Sequence, residues 1–383
     1  MERSRKLKLR SVEISGFKSF NNVGQTLPLG DINILIGANG SGKSTVVSFF
    51  RMLQEMMSYP SGHLQSYVGK QGGASALLHF GPKNTPRIMA RLSFENEQYM
   101  NSYSFTLAHA ASDTLIFTEE TVSNRNKNYP EARNIDLQPG LKESGLKTKA
   151  TEDVSPALKL MHAVLCSCRV YHFHDTSSEA KIRNAGYINN NDFLVNDAGN
   201  LSAFLYGLQS NNATKPYYEK IVRHIKQAFP QFDDFYLRPS SRNKDYILLE
   251  WKETTHTEYI FGPNQISDGT LRFMALCTLL LQPPDKLPDV IVLDEPELGL
   301  HPAAIIELSA MIKSASEHVQ IILATQSPAL LDEFEPEQVI TIERDRGTSA
   351  SVLKIHGKHE LESWLQEFTL SEIWDKNILG GKP

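Results

Sequence analysis

This chain of 383 residues has few cysteines and no long apolar runs, and its net charge is small. Its three cysteines, Cys166, Cys168 and Cys277, exclude a disulfide-stapled scaffold and favour a reducing compartment. No apolar run approaches the length of a membrane span and no signal-peptide pattern is present, so we expect a cytoplasmic protein with no membrane partner. A net charge of −5 excludes a molecule that is basic overall, although it leaves open a local basic groove for nucleic acid.

Internal repeats and sustained heptads are also absent, which excludes solenoids and long coiled coils. The length suits one large α/β domain with an insertion, or two domains. Alternating apolar residues predict strands around residues 7–14, 88–94, 103–107 and 115–117. Apolar spacings of three and four predict a helix over 157–166 and two more between residues 200 and 229. Segments 58–73 and 124–153 are rich in turn-forming residues, and we interpret them as loops, the second one mobile.

A phosphate-binding loop of the form G-x-x-x-x-G-K-[ST] is present in Gly37-Ala38-Asn39-Gly40-Ser41-Gly42-Lys43-Ser44. In such a loop the glycines let backbone N–H groups point at phosphate oxygens, Lys43 reaches the β- and γ-phosphates, and the Ser44 hydroxyl binds Mg²⁺. A chance match is the alternative, but a predicted strand over 32–36 and a predicted helix over 44–57 give the loop its proper context. The predicted nucleotide-contacting residues are Gly37, Asn39, Gly40, Ser41, Gly42, Lys43, Ser44 and Thr45.

Acidic residues end an apolar stretch much later in the chain, in Val290-Ile291-Val292-Leu293-Asp294-Glu295. Four consecutive apolar residues predict a buried parallel strand, whose carboxyl-terminal edge is where ligands of α/β sheets bind. Asp294 is then placed to hold Mg²⁺, and Glu295 to polarise the attacking water. The alternative is an ordinary strand that ends in a solvated acidic turn. Together with the phosphate loop, however, the two acids predict a split nucleotide site.

Two further patterns have both a structural and a functional interpretation. Ser267 precedes a helix predicted over 271–281, and taken alone it is best interpreted as the N-cap of that helix. The second pattern is a C-x-C pair followed by an H-x-H pair and an acid: Cys166, Cys168, His172, His174 and Asp175. These could be zinc ligands, but one face of a strand produces the same alternation, and the spacing matches no common zinc module. We therefore favour a strand face over a metal site.

The ordered set of motifs resembles the ABC-type ATPase heads of the SMC, RecF and OLD group. The set comprises Gly16-Phe17-Lys18-Ser19-Phe20, the phosphate loop, Ser267-Asp268-Gly269-Thr270, Asp294-Glu295-Pro296-Glu297, Gly299-Leu300-His301-Pro302 and Ala324-Thr325-Gln326-Ser327-Pro328. Segments 171–177 and 200–205, and the C-terminal stretch from Trp364, are similar to compact stand-alone AAA-type ATPases of prokaryotes, which are often tied to phage defence. The resemblance covers nearly the whole chain.

The resemblance implies an α/β fold, a P-loop NTPase of the ABC-ATPase head type. Its core sheet would be mostly parallel, with antiparallel strands in the N-terminal lobe and a helical insertion. The N-terminal lobe would span residues 1–120, the insertion 121–235 and the C-terminal lobe 236–383.

Several site residues follow from the resemblance by position. Lys18 would contact the nucleotide phosphates from the end of the first strand. Ser267 and Gly269 would form the signature that contacts the γ-phosphate of a nucleotide held on the other subunit, and residues 299–302 would be the loop that touches that subunit. Asp268 departs from the pattern, since a transporter ATPase usually has glycine there.

The catalytic residues implied by the resemblance are Glu295, Gln326 and Lys43. Gln326 falls where many ABC heads carry a switch histidine, so this position also departs from the common form. An amide can still orient both a phosphate and a water, because it can donate and accept hydrogen bonds. Gln71 and Gln98 are both candidates for the glutamine of the Q-loop.

The resemblance thus implies an ATPase that uses ATP and Mg²⁺ and dimerises around two nucleotides. Its hydrolysis would drive or gate a protein effector encoded nearby, in prokaryotic antiphage defence. A nucleotide-gated scaffold with little hydrolysis and a RecF-like DNA-repair ATPase are the alternatives. A transporter energy module fits less well, because the insertion is large and the signature is not of the transporter form. We expect neither an SMC coiled-coil arm nor an OLD-type nuclease domain.

Overall fold

The computed structural model describes residues 7–58, 63–129, 131–152, 155–256 and 258–382. The strands in these ranges are β1 (Lys8–Ser15), β2 (Gln25–Pro28), β3 (Ile32–Ile36), β4 (Arg87–Glu95), β5 (Tyr99–Ala110), β6 (Thr114–Asn126), β7 (Arg133–Asp136), β8 (Cys168–Tyr171), β9 (Gly186–Tyr187), β10 (Phe232–Phe235), β11 (Tyr246–Ile247), β12 (Trp251–Glu253), β13 (Val290–Asp294), β14 (Gln320–Ala324), β15 (Val339–Arg344) and β16 (Ser351–Ile355). The helices are α1 (Lys43–Met57), α2 (Leu64–Lys70), α3 (Ala74–Leu77), α4 (Gly145–Glu152), α5 (Pro156–Cys166), α6 (Leu201–Ser210), α7 (Lys215–Ala228), α8 (Asp268–Leu281), α9 (Pro302–Ala315), α10 (Pro328–Leu331), α11 (Lys358–Leu365) and α12 (Leu370–Asp375).

A six-stranded sheet in the order β16-β15-β3-β14-β13-β8 forms the centre of the molecule. Its strands are parallel except for β16, which runs antiparallel to β15. Both faces of the sheet are covered, which is why β13 is apolar at successive positions rather than at every second one. Ile291 and Leu293 pack with α8 and α9, whereas Val290 and Val292 pack on the opposite face with α1.

A second six-stranded sheet is entirely antiparallel, in the order β2-β1-β4-β5-β6-β7. Only one face of this sheet is buried, so β4 alternates, with Ile88, Ala90 and Leu92 inside the core. The buried face shares a hydrophobic core with α1, where the rings of Phe17 and Phe49 meet edge to face at 6.0 Å. Helix α1 is therefore held between the two sheets, and the loop before it is fixed from both sides.

Helices α6, α7, α8 and α9 cover the other face of the parallel sheet. Two small ribbons, β9 with β11 and β10 with β12, complete this side of the molecule. Within the described part of the chain, no helix combines the length and apolarity needed to cross a membrane.

Several predicted elements are confirmed within a residue or two, including β3, α1, α5 and β13, whereas α8 begins three residues earlier than predicted, at Asp268. The interpretation of 58–73 as a loop is wrong over Leu64–Lys70, which forms α2; residues 59–62 lie outside the described ranges. The N-terminus of α2 is capped by a distant side chain, because Glu143 accepts hydrogen bonds from the backbone N–H groups of Leu64 and Gln65 at 2.9 and 3.1 Å. A cap supplied by a residue so distant in sequence stabilises a helix that the local composition disfavours.

The segment 124–153 is also more ordered than the sequence predicts. Strand β6 extends to Asn126, β7 pairs with it, and α4 begins at Gly145. Leu146 is fully buried, and the buried Glu120 carboxylate accepts a hydrogen bond from the Gly145 N–H at 2.8 Å. Residues 130, 153 and 154 lie outside the described ranges. The interpretation of this segment as a loop is therefore wrong over 124–126, Arg133–Asp136 and Gly145–Glu152, whereas 127–129, 131–132 and 137–144 form no helix or strand, as predicted; the mobility of the segment stays a prediction.

Candidate nucleotide-binding and hydrolysis site

The predicted phosphate-binding loop joins the carboxyl end of β3 to the N-terminus of α1. Gly37 and Gly42 have φ angles of 149° and 124°. A Cβ on Gly37 would lie 2.1 Å from Ile342 O, and a Cβ on Gly42 would lie 2.2 Å from Ser351 Oγ. Only glycine fits both the conformation and the space at these two positions. Gly40, by contrast, has no atom within 4 Å of where a Cβ would be, so the loop opens into solvent there. The loop therefore has a tightly packed base and an open outer side.

Lys43 begins α1, and its side chain turns back over this loop. Its Nζ donates hydrogen bonds to the Gly37 and Ala38 carbonyls, the second at 3.1 Å. Burial lowers the pKa of Lys43, and the carboxylates of Glu295 and Asp294 partly offset that effect. A partly desolvated ammonium held by neutral carbonyls beside two acids is suited to bind an incoming phosphate anion.

Asp294 and Glu295 lie at the carboxyl edge of the parallel sheet, as predicted. Asp294 ends β13, and its carbonyl oxygen accepts a hydrogen bond from His174 Nε2 at 2.7 Å. Burial raises the pKa of the Asp294 carboxyl, while the nearby His174 acts in the opposite direction. Glu295 has a φ of 42°, and its N–H donates to Ala324 O at 2.8 Å, which holds this left-handed residue at the end of β14.

Gln326 connects the two halves of the split site. Its Nε2 donates to Asn39 Oδ1 at 2.6 Å and to Glu295 Oε1 at 3.1 Å. Asn39 belongs to the phosphate loop and Glu295 follows the acidic strand, so a single amide bridges segments that are more than 250 residues apart in the chain. The position implied by the resemblance is thus in contact with the predicted general base.

Lys18 also reaches the site, from the turn that follows β1, where its φ is 47°. Its Nζ donates to Ser48 Oγ at 2.6 Å and to Gln71 Oε1 at 3.0 Å. Burial lowers the pKa of Lys18, and the charge of Arg51 lowers it further. Of the two Q-loop candidates, the structure places Gln71 beside Lys18, whereas Gln98 lies in the exposed turn between β4 and β5.

A cleft of about 460 Å³ brings most of these residues together. Its lining consists of Lys18, Ser19, Asn39, Gly40, Gly42, Lys43, Ser44, Thr45, Ala76, Leu78, His79, Phe80, Glu295, Gln326 and Arg344. Gly37 and Ser41 lie behind this lining, in the packed base of the phosphate loop, and Asp294 lies beside it, next to Glu295.

Ser267 and Gly269 are not part of this cleft. Ser267 is exposed and caps α8, its Oγ accepting a hydrogen bond from Thr270 N–H at 3.1 Å. A Cβ on Gly269 would lie 2.2 Å from Gly299 O, so the predicted signature packs directly on the segment 299–302. Both motifs therefore form one surface that is separate from the nucleotide cleft of the same subunit.

A sequence model of the family described as "AAA domain, putative AbiEii toxin, Type IV TA system" matches residues 32–153 and 172–332, most of the chain. The chain belongs to this AAA family. The AAA domain is therefore an ATP-binding domain, as the resemblance implies. A comparison with curated proteins found no match.

Solved structures similar to this AAA domain include several SMC head domains. One, an SMC head bound to the C-terminal winged-helix domain of ScpA, is 18% identical, has a TM-score of 0.54 and aligns over 91% of this chain and 97% of its own. Heads from Pyrococcus furiosus, also bound to ScpA, and from Pyrococcus yayanosii are 15% and 12% identical, with TM-scores of 0.57 and 0.52. Each of these alignments covers 94% of this chain and 99% of the other. The predicted ABC-ATPase head fold is thereby confirmed.

The residues of the AAA domain fit a magnesium nucleotide. The backbone of the phosphate loop packs so closely at Gly37 and Gly42 that no Cβ would fit there. The Ser44 hydroxyl is exposed in the cleft, and Lys43 supplies a cation. Ser44 and Asp294 are the oxygen donors that would hold Mg²⁺, a hard cation that prefers such ligands. The ion would neutralise charge on the phosphates when bound.

Sequence reasoning did not find the residues that hold the signature in place. Arg183 is almost fully buried, and its guanidinium donates to Asp268 Oδ1 at 2.6 Å. Asp268, the residue that departs from the transporter pattern, thus forms an ion pair with Arg183. Arg272 donates to the backbone carbonyls of Phe173, His174 and Leu298. No motif marks either arginine, because their partners are mostly backbone carbonyls from distant segments.

The C-terminal residues contribute to the phosphate loop in the same unpredicted way. Gly381 O accepts a hydrogen bond from Ala38 N–H at 2.6 Å, and a Cβ on Gly381 would lie 3.2 Å from the Gly37 Cα. The interpretation of the cysteine and histidine pairs as one strand face is wrong, because Cys166 ends α5, only Cys168 lies on β8, and His172 and His174 follow that strand. Cys168 is buried on β8, and its Sγ contacts Val164 O at 3.5 Å. In the described ranges, no three His, Cys, Asp or Glu side chains come together as metal ligands.

Proposed function

We propose that this AAA domain hydrolyses ATP to ADP and phosphate, with Glu295 as the general base. The observation that carries the proposal is the bridge from Gln326 to both Asn39 and Glu295 at the edge of the cleft. This bridge fixes the Glu295 carboxylate beside the phosphate loop, where an attacking water can be oriented. Lys43 would bind the β- and γ-phosphates and stabilise the charge that develops between them.

In the proposed reaction, Glu295 and Gln326 orient a water molecule toward the γ-phosphorus. The water oxygen forms the new P–O bond as the bond to the β-phosphate oxygen breaks, and Glu295 accepts the proton of the water. The products are ADP and inorganic phosphate. Positioning and charge stabilisation supply most of the acceleration in reactions of this kind.

We further propose that two AAA domains enclose two nucleotides, with Ser267 and Gly269 of each subunit contacting the nucleotide of the other. Ser267 is exposed and lies outside its own cleft, which supports a role in trans. Two apolar side chains on the neighbouring surface, Leu298 and Ile306, are 46% and 57% exposed, which is favourable for a subunit interface. Hydrolysis would then reopen this dimer.

The closed dimer would drive or gate a protein effector, in prokaryotic antiphage defence. Two of the similar SMC heads are bound to a protein partner, ScpA, and the family description names a type IV toxin–antitoxin system. Both facts support a protein partner for this chain. Co-purification from the native operon, with neighbouring gene products identified, tests for that partner.

A pair of variants tests hydrolysis and dimerisation together. Glu295→Gln keeps the size of the side chain but removes the base, so it should bind ATP, stop turnover and accumulate a dimer measurable by light scattering. Ser267→Arg should bind ATP with near-parental affinity yet stay monomeric and inactive. A monomeric Glu295→Gln protein in ATP, or a Ser267→Arg protein that dimerises, would refute the two-subunit site.

Measurements on the unmutated protein distinguish an ATPase from a nucleotide-gated scaffold and from a RecF-like DNA-repair protein. A nucleotide-gated scaffold would dimerise in ATP without releasing phosphate, whether or not its partner is present. A RecF-like protein would bind DNA in ATP with an affinity that falls steeply with salt. Steady-state phosphate release with ADP as the second product supports the ATPase.

A further inference from the structure

Phe80 is a large apolar residue that is mostly exposed to solvent. Its ring is 60% exposed, and it lines the nucleotide cleft together with Leu78 and Ala76. These three residues give the cleft an apolar wall, whereas the phosphate loop gives it a wall of amides and a cation. A nucleotide has the same division, with an apolar base face at one end and a triphosphate at the other.

The backbone at Phe80 is held in a costly conformation. Its φ is 54°, the left-handed region that bulky residues rarely adopt. Two hydrogen bonds maintain this turn, from Gly81 N–H to Leu78 O at 3.0 Å and from Asn84 Nδ2 to Phe80 O at 3.0 Å. Residues strained in this way persist where the surrounding structure fixes them, and they are concentrated at ligand sites.

His79 provides a rigid support for the exposed ring. The His79 ring is buried, its centroid lies 4.3 Å from that of Phe80, and its Nδ1 donates to Lys18 O at 2.7 Å. The support thus connects the aromatic ring to the same turn that carries Lys18 into the cleft. A ring fixed on one side and exposed on the other presents one free face to a ligand.

We propose that Phe80 is the stacking platform for the base of the bound nucleotide. This inference rests on the nucleotide binding proposed above and adds the group that recognises the base. An aromatic ring stacks on any base, and more strongly on the larger purines, so the site would favour ATP and GTP over CTP. Base stacking on one aromatic side chain corresponds to about a tenfold change in affinity, at the lower end of its usual range.

Titration calorimetry with ATP and with inorganic tripolyphosphate tests this inference, because the second ligand has phosphates but no base. Phe80→Ala should weaken ATP binding about tenfold and leave tripolyphosphate binding unchanged. Phe80→Trp keeps a stacking surface and should bind ATP within about twofold of the parent. Tyr129→Ala, which removes an aromatic ring that is 66% exposed and outside the cleft, is the matched control and should change neither affinity.

Two outcomes overturn the inference while the proposed function stands. In one, Phe80→Ala binds ATP as tightly as the parent. In the other, it loses ATP and tripolyphosphate binding equally, which would mean that the ring only supports the loop. A parent protein that binds neither ligand refutes nucleotide binding, and this inference with it.

Discussion

Replacing Gln326 by alanine tests the most informative contact in the site. The change removes both hydrogen bonds of the side-chain amide, at 2.6 Å to Asn39 and at 3.1 Å to Glu295. The phosphate-loop amides and Lys43 are untouched, so ATP affinity should stay within about threefold. The Glu295 carboxylate, however, loses the group that fixes its orientation toward the phosphate loop.

The expected magnitude follows from the nature of these bonds. A hydrogen bond to a charged group contributes about 1.5–3 kcal/mol, and losing one orienting donor in an active site typically lowers kcat about a hundred- to a thousandfold. Because Gln326 is only half-buried and both of its partners can bond water instead, the free energy of unfolding should fall by less than about 1 kcal/mol. We therefore expect a folded, ATP-binding and nearly inactive protein.

Steady-state phosphate release, with calorimetric ATP affinity measured alongside, is the assay. Gln366→Ala, at an exposed glutamine near the C-terminus, is the matched control and should keep parental turnover. Gln326→His should retain activity and acquire a new ionisation near pH 6.5, because imidazole titrates there when unperturbed. A Gln326→Ala rate within twofold of the parent would show that the bridge has no part in the chemistry.

Three further variants probe other parts of the site. Lys43→Ala should lower ATP affinity at least a hundredfold by calorimetry while circular dichroism stays parental, because it removes the only cation of the phosphate loop. Asp294→Asn should raise the melting temperature of the nucleotide-free protein at neutral pH, since the raised pKa of Asp294 means that its ionised form is disfavoured by folding. The difference in melting temperature between Asp294→Asn and the parent should shrink as the pH falls through the raised pKa of Asp294, because the parent carboxyl is then protonated. Gly269→Ala should preserve ATP affinity but weaken ATP-dependent dimerisation at least tenfold by light scattering, because its Cβ would press on Gly299 O.

The parts of the site that could be predicted from sequence are those whose chemistry is local. The phosphate loop and the acids after β13 carry their function in residue types and spacing, so their positions at the sheet edge follow. The contact of Gln326 with Glu295 could not be predicted, because it depends on the register in which the parallel strands β13 and β14 pair.

The errors have a common physical cause. Helix α2 and the ordered stretch around Leu146 are fixed by Glu143 and Glu120, which supply caps and anchors from distant segments. Local composition reports turn propensity, but it contains no information about such long-range partners. The same limit explains why Arg183 was not found, since it bonds to residues about 80 positions away.

The position of β3 in the sheet has a consequence for how the protein is made. Its two neighbours, β14 and β15, pair with it from about 290 or more residues further along the chain. At roughly 5–20 residues per second, a ribosome takes roughly 15–60 seconds to synthesise them after β3 has emerged. During that time Ile32–Ile36 is an apolar strand with both edges unpaired, a segment prone to wrong pairing with other chains. Nascent chains of this protein should therefore depend on chaperones until synthesis is nearly complete, and slower translation should lower the yield of folded protein.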